Sequence, residues 1–223
     1  MSKTEENLTN ADVRKLILVP SLITLAVTLL RLTGELLHWS KALFNPAPGG
    51  GGAIVGIAWL VPVFGIYFGL KLARAGLAGP TGPAIGFALL GLLIMPIGGF
   101  AAVSLGMSQQ SLWLLGVFVV LSIAGAVIAY RGWPALGRVL LAYGLAARIP
   151  VALVMLAAML GNWGTHYDLP PPDFPAMSPI AKWVVIGLVP QMTIWIWFTI
   201  AVGALVGAIA AAVTGRARRP ATA

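Results

Sequence analysis

Residues 21–40, SLITLAVTLLRLTGELLHWS, decide how the rest of the chain is read. The stretch is apolar enough to cross a bilayer, yet it holds Arg31, Glu35 and His38 among its leucines. Ser21, Thr24, Thr28, Arg31, Glu35 and His38 succeed one another at steps of 3, 4, 3, 4 and 3. That is the period of one helix face, so the six side chains are expected to form a single polar stripe. At about 1.5 Å per residue the stripe is roughly 25 Å long, most of the hydrocarbon thickness. A charge turned toward lipid costs several kcal/mol, so the stripe should face the interior of a helix bundle. Two readings follow. The stripe lines a site or pathway, or Arg31 and Glu35 form an i,i+4 pair that glues the bundle while Ser and Thr bond the carbonyls of the preceding turn.

The composition agrees with a membrane setting. Of 223 residues, 59% are hydrophobic and 9% charged, with mean hydropathy +0.95. A soluble domain of this size would carry too few surface charges to stay solvated. The chain has no cysteine, which removes disulfides, thiolate metal sites and cysteine nucleophiles. The net charge of +8 is not a nucleic-acid signal, because the cations cluster at the ends of apolar runs. The first apolar run is too long for a signal-peptide core and lacks a small-residue cleavage site, so it reads as a retained span.

Six apolar segments are each near or above the roughly 20 residues a crossing helix needs: 16–39, 53–75, 83–106, 110–130, 133–161 and 180–213. Turn-forming stretches separate them: NPAPGGGG at 45–52, GPTGP at 79–83, RGWP at 131–134 and NWGTHYDLPPPDFPAMSP at 162–179. The expected fold is an all-α integral membrane protein, a six-helix transmembrane bundle with several proline-kinked helices. Residues 1–15 form an N-terminal segment and 214–223 a basic tail. Prolines fall in five of the spans, at Pro20, Pro62, Pro96, Pro150 and Pro190. The recurrence of LVP at 18–20, 60–62 and 188–190 does not keep register between the halves, as an inverted repeat would require.

Nine cations lie in one set of connections (Lys3, Arg14, Lys15, Lys71, Arg74, Arg131, Arg216, Arg218, Arg219) and two in the other (Lys41, Lys182). The positive-inside rule then puts both termini in the cytoplasm, here of a bacterial inner (plasma) membrane. Trp39, Trp113, Trp163 and Trp183 fall near the outer boundary, where indole rings favour the headgroup layer.

Other interior groups are expected to join the stripe. Arg148 lies too deep in the fifth span to snorkel, unlike Arg138, and Tyr143 shares that span. In the sixth, Gln191, Trp195 and Thr199 share a face. Glu35 can offset only one of Arg31 and Arg148. The second guanidinium either takes an anion, for which arginine offers a planar bidentate fork, or bonds carbonyls freed by Pro150. The expected ligand-binding set is therefore Arg31, Glu35, His38, Arg148, Gln191 and Trp195, with His38 titrating near neutral pH. The function expected is non-enzymatic binding, or transport, of a small anionic molecule or lipid in a cavity open to the outer side. No catalytic residues and no cofactor are assigned.

Two alternatives are kept. Glu35, His38, His166 and Asp168 have the donor chemistry of a zinc or non-haem iron site, so a membrane metalloenzyme is one. The other is a structural subunit of a larger assembly, as a homo-oligomer or with partner subunits. The glycine run at 46–52 has neither the lysine nor the preceding strand of a phosphate loop and reads as a gate or linker. PPPDFP at 170–175 is stiff and suits a lid. Gly65/Gly69 and Gly82/Gly86 are small-residue pairs expected at close helix contacts.

Six spans, both ends inside, with long outer loops after the first and fifth, resemble the substrate-binding membrane subunits of energy-coupling-factor vitamin transporters. That resemblance implies capture of a small molecule from outside and partner subunits. AWLVP at 58–62 and PDF at 172–174, with the span count, are similar to the insulin-induced-gene sterol-sensing proteins, which implies lipid or sterol-like binding without catalysis.

Overall fold

The computed structural model describes residues 8–108 and 111–217, with side chains through residue 215. Its helices are α1 (Asn10–Leu36), α2 (Leu60–Arg74), α3 (Thr81–Ser104), α4 (Leu112–Gly132), α5 (Pro134–Gly161), α6 (Pro179–Lys182), α7 (Val189–Met192) and α8 (Ile194–Ala217). A π-helical turn, Trp183–Leu188, joins α6 to α7, so residues 179–217 run as one interrupted rod. No strand occurs among the described residues. Counted as rods, these elements make the expected six-helix bundle.

Five of the rods are long and apolar enough to cross a membrane: α1, α3, α4, α5 and residues 179–215. Their outward faces carry exposed leucine, isoleucine and phenylalanine, such as Ile97 and Phe100. Helix α2 is the exception. It has 15 residues, about 22 Å of rise. The span expected over 53–75 is thus corrected: residues 53–59 are loop, and Ile57 packs against both apolar clusters of the core.

Helix α1 begins six residues before position 16. Thr9 and Asp12 form a capping box, with the Thr9 hydroxyl accepting from the Asp12 amide at 3.2 Å and the Asp12 carboxylate accepting from the Thr9 amide at 3.2 Å. Residues 10–15 therefore belong to the first helix; residues 1–7 lie outside the described part. Arg218, Arg219 and the end of the expected basic tail also lie outside it. Pro20, Pro96 and Pro150 sit inside helices, whereas Pro62 falls in the first turn of α2 and Pro190 in α7, next to the π turn.

Contacts sort the connections onto two ends. At one end the Arg138 guanidinium of α5 donates to Leu8 O and to Asn10 Oδ1, both at 2.7 Å, and the Trp133 indole donates to Leu77 O at 2.8 Å. At the other, the 45–59 loop meets the 162–178 loop through Gly50 and His166, and the proline-rich 171–175 segment shares a groove with Ser111 and Leu112.

Close packing follows the small residues in part. Gly65 and Gly69 of α2 face Gly203 and Gly207 of α8: a Cβ on Gly69 would lie 2.5 Å from Gly207 O. That is the approach of backbones such pairs permit. Gly82 and Gly86 have nothing within 4 Å, so the expectation of a contact there is corrected. Tyr143 of α5 is buried against Phe64 and Phe68 of α2, with both ring centroids at 5.4 Å.

Candidate functional site

The stripe on α1 faces inward as its period demands. Thr24, Thr28, Arg31 and Glu35 are all buried. Thr24 and Thr28 donate to the carbonyls four residues back, Pro20 O and Thr24 O, at 2.9 Å each. The Thr24 hydroxyl also meets the Tyr143 hydroxyl of α5 at 2.8 Å.

His38 leaves the stripe, which corrects its place in the expected set. Helix α1 ends at Leu36, His38 has φ 53°, and two bonds close the end: Trp39 N to Gly34 O at 2.8 Å and His38 N to Glu35 O at 3.1 Å. This is a Schellman closure with histidine in the left-handed position usually given to glycine. The chain turns off the helix axis there, and His38 is exposed.

The imidazole beside Glu35 belongs to His166. Residues 164–168, GTHYD, form a turn built on Asp168, whose carboxylate accepts from Gly164 N at 3.0 Å and from Thr165 N and Thr165 Oγ1 at 2.7 Å each. The turn presents His166 to α1. His166 Nδ1 lies 2.6 Å from Glu35 Oε1, and its backbone N donates to Glu35 Oε2 at 2.9 Å. The next residue, Tyr167, is buried and donates to Thr28 O at 3.2 Å. Burial pushes the His166 imidazole below its ordinary pKa, against the opposing pull of its bond to Glu35, and burial likewise raises the Tyr167 phenol.

Arg31 completes the group. Its Nε donates to Glu35 Oε1 at 2.8 Å, and its Nη2 to two loop carbonyls, Asn45 O at 3.2 Å and Gly50 O at 2.9 Å. Arg31 therefore fastens the glycine-rich loop to the bundle. Gly50 is in the left-handed region, φ 72°, and a Cβ there would lie 2.8 Å from His166 Cδ2. A glycine is required by both conditions. The loop at 46–52, expected as a gate or linker, thus lies docked over the bundle through Arg31.

Beneath the cover lies a cavity of about 340 Å³ between α1, α5 and the rod around its π turn. Arg31, Arg148, Gln191 and Trp195 line it, as does His166. Glu35 supports it from behind through Arg31 and His166. Arg148 is 3% exposed. Among the described residues its one hydrogen bond is Nη1 to Gln191 Oε1 at 3.5 Å and its Nε has no partner, while its guanidinium lies over the Trp195 ring at 4.4 Å. It bonds no carbonyl freed by Pro150, so that alternative is not realised. Thr193 interrupts the rod at φ −120°, and Gln191 and Trp195 on either side of that break reach the same guanidinium.

The four residues weighed as a metal set do not converge. His38 is exposed, and the Asp168 oxygens are taken by its own turn. Among the described residues no three of His, Cys, Asp or Glu gather as ligands.

Sequence reasoning missed two features of this site: the Asn45 and Gly50 carbonyls on Arg31, and the role of Tyr167 as a buried anchor. It brought His166 to Glu35 only within a metal set that also held His38 and Asp168. No protein-family model, no curated protein and no solved structure matches this chain, so the two resemblances read from span count, AWLVP and PDF rest on those features alone.

Proposed function

We propose that this polytopic membrane protein binds an anionic small molecule or an anionic lipid headgroup in the covered cavity. One observation carries the reading: Arg148 is a buried cation that has, among the described residues, no carboxylate partner and one long hydrogen bond, with a cavity beside it. An isolated buried charge costs several kcal/mol, and a fold keeps such a group where something else supplies the opposite charge. Arg31 does not need that partner, because Glu35 satisfies it at 2.8 Å.

The cation bias of the connections supports an N-in/C-in orientation, which puts the 45–59 and 162–178 loops, and hence the cavity, on the outer side. Native mass spectrometry from mild detergent tests the binding. An anionic adduct is expected on the natural protein and not on Arg148→Gln. Equal adducts on both, or none on either together with no thermal shift from any added anion, would overturn the reading.

A further inference from the structure

The cavity carries more information than the sign of its ligand. Its charges count to one: Arg31 is neutralised by Glu35, and the Arg148 guanidinium is left over. The remaining side chains of the wall are mixed: Thr28, His166, Tyr167 and Gln191 are polar, and the rest are apolar. Val27, Ile57, Val151, Met155, Ile186 and Trp59 face the same space. The Arg148 guanidinium lies over the Trp195 ring, Cζ 4.4 Å from its centroid, and Arg148 also lines the cavity. A planar guanidinium fork suits a planar two-oxygen acceptor.

Resting on the reading above, we infer that the ligand is an amphipathic monocarboxylate, its carboxylate on Arg148 and its apolar body against the Val27, Ile57, Val151 and Met155 walls. A dianion would bring a second charge with no second free cation. A small hydrophilic anion would leave the apolar walls wet. A volume of about 340 Å³ matches an occupant of drug-like or medium-chain size.

The test uses the full chain in nanodiscs of neutral lipid, titrated by calorimetry. The probes are phenylacetate and octanoate, their neutral amides, acetate and inorganic phosphate; a parallel set of discs contains phosphatidylglycerol. At least one of the two long acids should bind, with its amide and acetate at least about tenfold weaker, since a charge-assisted bidentate pair and the apolar contact are each worth that much. Arg148→Lys keeps the charge and loses the fork, and should weaken the acid by about tenfold; Arg148→Gln should erase the preference for acid over amide. If Arg148→Gln does not fold, Arg148→Lys carries the test. Acid and amide binding alike, or Arg148→Lys binding unchanged, would overturn the inference. Arg148-dependent binding of phosphate or phosphatidylglycerol in preference to the acids would overturn it too, while leaving the anion reading standing. Binding of none of the probes would remove both.

Discussion

At the scale of single residues, the site is a balance between one satisfied arginine and one unsatisfied arginine. Arg148 gains little where it stands: a long bond to Gln191 and the Trp195 face. Replacing a poorly compensated buried ion with an apolar side chain of similar length commonly stabilises a protein. Arg148→Met is therefore expected to raise the unfolding free energy of the ligand-free protein by about 1–3 kcal/mol, measured by denaturant titration in mixed micelles, while abolishing anion binding. Glu35 is the opposite case. It accepts from Arg31 Nε and His166 N and shares its Oε1 with the His166 ring, so Glu35→Gln strands two groups and should cost about 3–5 kcal/mol in the same assay. His166 sets a pH dependence. Its folded pKa is depressed by burial, so below the ordinary imidazole value near 6.5 the unfolded chain binds more protons than the folded one. Stability should be level above that value and fall as pH drops through it. His166→Asn should lack that part of the slope; identical slopes would contradict it. The period of the stripe made Arg31 and Glu35 legible in the sequence. His38 was misread because one left-handed residue ends the helix just before it, and such a closure has no strong signal when histidine holds the glycine position.

At the scale of elements, the 45–59 loop and the helix contacts carry the expectations. Gly50→Ala would need a left-handed alanine, at about 1–2 kcal/mol, and a shift of the His166 ring, and so should loosen the cover. Hydrogen exchange over 45–59 should speed up while α3 and α4 stay unchanged. The glycine pairs divide sharply. Gly69→Ala places a methyl against the Gly207 backbone, which cannot yield, and should destabilise by about 1–3 kcal/mol. Gly86→Ala meets open space and should be neutral or slightly stabilising through helix propensity. Both had the same small-xxx-small spacing in the sequence; only the neighbouring helix distinguishes them. The short α2 has the same origin. Residues 53–59 are hydrophobic enough to read as membrane helix, and periodicity has no term for an apolar loop that docks one side chain, Ile57, on the core while Ile54 and Trp59 stay exposed.

At the scale of the whole molecule, the cysteine-free chain offers a clean test of orientation. With both termini inside, Ala176→Cys on the proline-rich loop should react with a membrane-impermeant maleimide in intact cells, and Ala75→Cys only after permeabilisation; the reverse pattern would invert the assignment. The sequence by itself determined the class of fold, the number of rods and the buried side of the first one. These follow from transfer free energy and the helical period, which act along the chain and need no partner. It also placed Arg148 in the interior, because an ionisable group at that depth has nowhere else to go, and put Gln191 and Trp195 on one helix face. Only the tertiary structure decided which histidine reaches Glu35, that the glycine-rich loop is bolted down by Arg31, and that Arg148 is the cation left unpaired. Each of these depends on where a turn brings residues more than a dozen positions apart, and hydrogen-bond pairing across such distances is settled by geometry that composition and spacing do not encode.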